Sequence, residues 1–139
     1  MGVARHEVRI ETQRKTQVIN ITEEVVQACG RLGISEGILH VGVRHTTCAL
    51  CVNEDETGLR DDFERLGETL LNPFRGQVGY RHDKIDDNAQ AHLTSVLLGN
   101  SVTLSLKQGK PVLGTWQCIL LLEMDGPRPR ILDLTAVGE

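Results

Sequence analysis

Strand-like segments of this chain arrive side by side in pairs, joined by short polar turns. Residues 7–11 alternate Val8 and Ile10 with charged neighbours, the pattern of a half-buried strand. Gln13-Arg14-Lys15 reads as a turn and residues 17–21 as a second strand, so the two predict an N-terminal hairpin. Residues 37–43 and 47–52 form the next pair, with Arg44-His45-Thr46 at their junction. Residues 101–106, the apolar run 116–124 and residues 130–136 supply the last three strands, with a Gly-containing turn at 107–110.

Three helices fall between these strands. Thr22 reads as an N-cap, followed by Glu23 and Glu24 where carboxylates suit the helix dipole. Val25, Val26, Cys29 and Leu32 give that helix its apolar face, and Gly30 to Gly33 end it. Thr57 predicts the cap of a second helix, whose stripe is Leu59, Phe63, Leu66 and Leu70 and whose stop is Asn72-Pro73. Residues 72–86 then read as a long polar loop. A third helix starts near Asp87 or Asn88, turns Ala89, Leu93, Val96 and Leu97 inward, and stops at Gly99. The order β-β-α-β-β-α-α-β-β-β lacks the strict alternation of a doubly wound parallel sheet. It predicts one α+β domain over residues 1–139, an antiparallel β-sheet core with helices packed on it.

Composition narrows the function. A chain of 139 residues can bury a core without staples, and only 3% aromatic residues make that core aliphatic. A net charge of −4 and the lack of interleaved aromatics argue against nucleic acid. No apolar run approaches the roughly 18 to 20 residues of a membrane span, and the first residues lack a signal-peptide core, so a cytoplasmic location is expected. Cys48 and Cys51 form a C-x-x-C, but residues three apart on a strand point to opposite faces and no second such pair exists. Buried thiols are the expectation for all four cysteines.

His45, His82 and His92 stand out as candidate site residues. Neutral imidazoles ligate zinc and related ions, and one near neutral pH can also act as general acid or base. No two of the three share a tight ligand spacing. Asp55 and Glu56 read as a solvated run entering a helix, with Glu54 open as a cation ligand. Trp116 offers a stacking face and Gln117 paired polar groups, or both belong to the core. Glu123 interrupts an apolar strand, where an unpaired acid is costly. Arg128 and Arg130 project to one side of an extended segment and suit carboxylate or phosphate; a salt bridge from Glu123 to one of them is the structural alternative.

His45-Thr46-Thr47 with Asn53-Glu54, then Tyr80-Arg81-His82, Ala91-His92-Leu93, Leu113-Gly114-Thr115-Trp116-Gln117 and Asp125-Gly126-Pro127-Arg128, in that order, resemble the YjbQ-like family. The resemblance spans nearly the whole chain. It implies an α+β fold around an antiparallel sheet and a homotrimer. It also implies a cluster of His45, His82 and His92, with Trp116, Gln117, Glu123 and Arg128 nearby, that binds a metal ion or an anion.

Members of that family are often labelled secondary thiamine-phosphate synthase. The resemblance therefore implies the joining of hydroxymethylpyrimidine diphosphate to a thiazole phosphate with release of pyrophosphate. His45, His82, His92 and Glu123 would be catalytic. Thr46, Thr47, Asn53, Trp116, Gln117, Arg128 and Arg130 would bind the phosphorylated substrate, and the three histidines would hold a divalent ion, zinc or magnesium. A metal-dependent phosphate-ester hydrolase and a non-catalytic protein that binds a phosphorylated metabolite are the alternatives.

Overall fold

A computed structural model describes residues 1–76 and 79–139. Its strands are β1 (Gly2–Glu11), β2 (Gln17–Asn20), β3 (Gly37–Val43), β4 (Cys48–Asn53), β5 (Ser101–Lys107), β6 (Lys110–Pro111), β7 (Cys118–Glu123) and β8 (Pro129–Gly138). Its helices are α1 (Thr22–Leu32), α2 (Thr57–Arg75) and α3 (Ala89–Leu98), and a single 3-10 turn covers Arg81–Lys84. All strand pairings are antiparallel, as the α+β expectation requires.

The strands divide into two sheets, with orders β1-β8-β3-β5-β6 and β2-β7-β4. The N-terminal hairpin is therefore absent: β1 pairs with β8 and β2 with β7. Burial explains the split. Val8 and Ile10 alternate with charged neighbours, which suits a sheet with one wet face. Residues 119–122 of β7 are continuously apolar, which suits a strand covered on both faces. Ile119 and Leu121 join Leu39, Val41, Leu132 and Leu134 in the main core, which α1 also covers through Val25, Cys29 and Leu32. Leu120 and Leu122 face the other way, into a smaller cluster with Val18, Ala49, Phe63 of α2 and Leu98 at the end of α3.

Several boundaries move. Trp116 is not in a strand, because Gln117 N–H donates to the Gly114 carbonyl and its side-chain oxygen accepts Gly114 N–H, closing a turn before β7. Pro73 does not stop α2, which runs on to Arg75. Glu56, rather than Thr57, caps that helix by accepting the N–H groups of Gly58 and Leu59. Thr22 lies within the first turn of α1, its hydroxyl donating to Asn20 and accepting Ile119 N–H. Residues 77–78 of the expected polar loop lie outside the described residues.

The face of α3 is also reassigned. Ala89, Ala91, Thr94 and Ser95 are buried, whereas Val96 and Leu97 are 80% and 61% exposed. Polar Gln90, His92, Thr94 and Ser95 are spread around the helix among its apolar residues, so periodicity does not choose a face. Ser95 decides it, donating to the Cys48 carbonyl at 2.8 Å.

Candidate functional site

The site lies where β4 begins and β7 ends. Cys48 pairs with Glu123 in that register, so residues 45–47 enter β4 beside the segment that leaves β7. Glu123 is fully buried. It accepts Arg130 Nε at 2.8 Å, a second, shorter bond from Arg130 Nη2, and the N–H groups of Met124 and Asp125 at 3.0 and 2.9 Å. The Thr12 hydroxyl sits 2.9 Å from the same carboxylate. Burial pushes the Glu123 carboxyl up, but Arg130 and the backbone donors outweigh it and hold the pKa below the usual range. Arg130 also donates to the Thr47 hydroxyl at 2.9 Å. Of the two readings of Glu123, the salt bridge is the one present. Glu123 and Thr47 sit beneath the site: Glu123 is fully buried, and Thr47 reaches the cleft wall but is almost wholly covered.

Above this base is a cleft of about 230 Å3. Its walls include His45, Thr46, Asn88, His92, Asp125 and Arg128, and Arg130 closes one side. His45 Nε2 accepts Ile131 N–H at 2.9 Å. The neutral ring therefore carries its proton on Nδ1. Burial, then the Arg130 charge, lowers the His45 pKa from its ordinary value and favours that neutral form. Arg44 at the rim is occupied by Asp133, with bonds of 2.6 Å, and by Glu7. Arg128 donates Nε to the Asp125 carbonyl at 2.7 Å and Nη2 to its carboxylate at 3.1 Å, and its side chain is half exposed.

His82 and His92 meet edge to face, with ring centroids 5.0 Å apart. His92 lines the cleft that His45 lines; His82 does not, and is bonded through Nε2 to Asn88. Among the described residues, no group of three or more His, Cys, Asp or Glu is spaced to hold a metal ion. His45 accepts Ile131 N–H at Nε2 and so carries its proton on Nδ1, which leaves the neutral ring no free lone pair for a metal ion.

Asn53, Trp116 and Gln117 are elsewhere. Asn53 pairs with Cys118 at the opposite end of the small sheet from the Cys48–Glu123 pair. Five residues of strand separate the two ends, roughly 17 Å. Trp116 is 72% exposed in its turn, which overturns the core reading of the indole. The acidic run is structural: Asp55 pairs with Arg60 and Asn20, which hold its pKa at about 2, and Glu56 caps α2.

Asn88, Asp125 and Thr12 are the members that residue-level reading misses. Asn88 precedes a helix and looks like a cap, and Asp125 precedes Gly-Pro and looks like a turn residue. Thr12 carries no local signal, since its partners Glu123 and Arg128 are more than a hundred residues away. The four cysteines are free; Cys29 and Cys48 are buried as expected, whereas Cys51 and Cys118 are only half-buried, and burial pushes the Cys48 thiol up to about 11.

Two antiparallel sheets with a polar, histidine-lined cleft at the end of the smaller one define a small α+β protein with a candidate polar site. The chain belongs to the family described as UPF0047 protein YjbQ-like, which matches residues 6–139. A UPF0047 protein of Archaeoglobus fulgidus is 45% identical over 124 residues, 89% of this chain and 94% of the relative. One of Methanothermobacter thermautotrophicus is 40% identical, covering 100% of this chain and 95% of the relative. A crystal structure from Sulfolobus solfataricus, described as a YbjQ-like protein of unknown function, superposes with a TM-score of 0.91 at 37% identity over 99% of both chains. A hypothetical protein from Aeropyrum pernix gives 0.89 at 38% identity, over 97% of this chain and 98% of the other.

These relatives correct the expected activity. They carry only the family designation or the description of unknown function, and none is named for thiamine phosphate, group transfer or hydrolysis. The synthase reading is set aside, and with it the hydrolase alternative. No helix among the described residues is long and apolar enough to cross a membrane.

Proposed function

We propose that the cleft recognises a small phosphorylated molecule through its oxyanion. The observation that carries this is the pairing of donors at one opening: His45, fixed as a neutral Nδ1–H donor, stands in the same cleft as the half-exposed guanidinium of Arg128. Asp125 takes Nε and Nη2 of Arg128, which aims the guanidinium without covering it. Thr46 is exposed on the same wall and adds a hydroxyl. A charge-assisted hydrogen bond contributes about 1.5–3 kcal/mol. Arg128→Ala is therefore expected to weaken binding of methyl phosphate, read by calorimetry, by roughly 10- to 100-fold. Equal affinity in the two proteins would remove the reading.

We also propose self-association, as the homotrimer implied by the resemblance. Val96, Leu97 and Trp116 are large apolar side chains left open on one chain, and interfaces are where such residues are ordinarily covered. Association would also let the Trp116–Gln117 turn of one copy approach the cleft of another. Light scattering on the purified protein tests the assembly: a monomer mass at micromolar concentration would end this reading. Four free thiols suit a reducing compartment, and we place the protein in the cytoplasm.

A further inference from the structure

Thr12 follows directly on β1, and the pairing of Glu11 with Pro129 sets it opposite Arg128. The ladder is only half continued there. Thr12 N–H donates to the Arg128 carbonyl at 3.2 Å. Arg128 N–H goes to the Thr12 hydroxyl at 2.9 Å, rather than to the Thr12 carbonyl that a regular antiparallel pair would use. One residue therefore holds both main-chain groups of Arg128. Gly126 N–H donates to the Lys15 carbonyl at 3.0 Å, so the stretch 126–128 is seated on residues 12–15.

The Thr12 hydroxyl has one proton to give and two acceptors at 2.9 Å, Glu123 Oε2 and the Arg128 carbonyl. The carbonyl already receives Thr12 N–H, and an ionised acceptor makes the stronger bond, so the proton goes to Glu123. The result is a directed chain. Arg128 N–H donates to Thr12 Oγ1, and Thr12 O–H donates to the Glu123 oxygen that Arg130 Nε also holds, at 2.8 Å. Thr12 is buried, where the bonds of such a chain strengthen one another. At the far end of Arg128, the guanidinium gives two of its five N–H groups to Asp125, one from Nε and one from Nη2. Among the described residues the other three have no partner, and the side chain is half exposed at the cleft. Where they point depends on the main chain of residue 128, which Thr12 holds.

We propose that Thr12 is a positioning residue of the anion site: its hydroxyl ties the main chain of Arg128 to the buried Glu123–Arg130 pair and so fixes where the guanidinium meets a phosphate. The proposal rests on the oxyanion reading of the cleft. Thr12 is not among the residues that line the cleft, so it acts through Arg128 and not on the ligand.

The test uses the full chain and methyl phosphate, with affinity read by 1H–15N chemical-shift titration, which follows weak binding. Thr12→Val keeps the shape and removes the hydroxyl; Thr12→Ser keeps the hydroxyl. Thr12→Val should weaken binding roughly 3- to 10-fold and Thr12→Ser less than about 2-fold. A general loosening of the fold would weaken binding with or without Arg128, so Thr12→Val is repeated in Arg128→Ala, where it should add less than about 2-fold. Hydrogen exchange of the Arg128 amide should be slow in the parent and faster in Thr12→Val. Unchanged affinity in folded Thr12→Val, or an equal loss in the Arg128→Ala background, overturns the proposal. If Thr12→Val does not fold, the parent and Thr12→Ser decide. A slow Arg128 amide with affinity retained in Thr12→Ser sustains the proposal, and an amide that exchanges like an open loop, or affinity lost in Thr12→Ser, overturns it. Failure of the parent to bind methyl phosphate removes the oxyanion reading instead, and exchange of the Arg128 amide still decides whether Thr12 holds that residue.

Discussion

Glu123 and Arg130 show how a charged pair can be buried without being a ligand site. Removing one partner of such a pair leaves an uncompensated charge in the core, which costs about 3–5 kcal/mol. Arg130→Met is expected to lower stability by that amount in urea denaturation at pH 7, and an unchanged midpoint would refute the account. Because the folded pKa of Glu123 is depressed, its contribution is present above the unfolded value of about 4.3 and is lost as pH falls through the folded one. His45 obeys the same sign for a different reason. Its folded pKa is lowered by burial, so the stability from the neutral ring is present above about pH 6.5 and fades as acid protonates Nε2 and displaces Ile131 N–H. His45→Asn should flatten the fall in urea midpoint just below pH 6.5 relative to the parent, and parallel curves would count against it. Gly126 is required for space: a Cβ there would sit 2.4 Å from the Arg14 carbonyl and 2.9 Å from both Glu123 Cγ and Thr12 Oγ1. Gly126→Ala is expected to cost about 1–3 kcal/mol and to weaken methyl phosphate binding, since the segment carrying Asp125 and Arg128 has to shift.

Elements were legible in the sequence where a pattern had one interpretation. The alternation around Val8 and Ile10, the face of α1 at Val25, Cys29 and Leu32, and the apolar run of β7 all recur in the structure. Pairing was less legible. Short turns suggested neighbours in sequence as neighbours in a sheet, but burial on two faces drew β2 and β4 to β7 and left β1 for β8. The face of α3 was misread, because its polar residues are spread around the helix and the buried side is the one where Ser95 donates to the Cys48 carbonyl. The candidate histidines and Arg128 were legible as types, and Asn88 is local to His82 and His92, whereas Thr12 acts over more than a hundred residues, a distance no local pattern encodes. A prediction belongs to α3. Val96→Lys with Leu97→Lys should change the stability of the isolated chain by less than about 0.5 kcal/mol, as exposed positions do. The same change should shift the light-scattering mass to that of a monomer; an unshifted mass would place the interface elsewhere.

The large sheet sets the character of the whole molecule. β1 and β8 pair along their full length, from Gly2 opposite Gly138 to Glu11 opposite Pro129. Sheets built from such distant segments fold slowly, typically in milliseconds to seconds, because chain closure comes before its reward. A permutant that links residue 139 to residue 2 and opens the turn at 108–109 brings the two strands next to each other in sequence. It is expected to keep the fold and to refold several-fold faster by stopped-flow circular dichroism; slower refolding would mean that another step limits the rate.

The place of β8 has a consequence for synthesis. Arg128, Arg130 and the Ile131 N–H that orients His45 all arrive after the histidines, with residues 128–131. While the chain is still being translated, the histidines have been made but the guanidiniums and the amide that arrange them have not. Glu123 has no counter-ion during that interval, and β1 has no strand to pair with. A ribosome-bound chain stalled before residue 128 should bind no phosphate ester, and competence should appear only when β8 clears the exit tunnel.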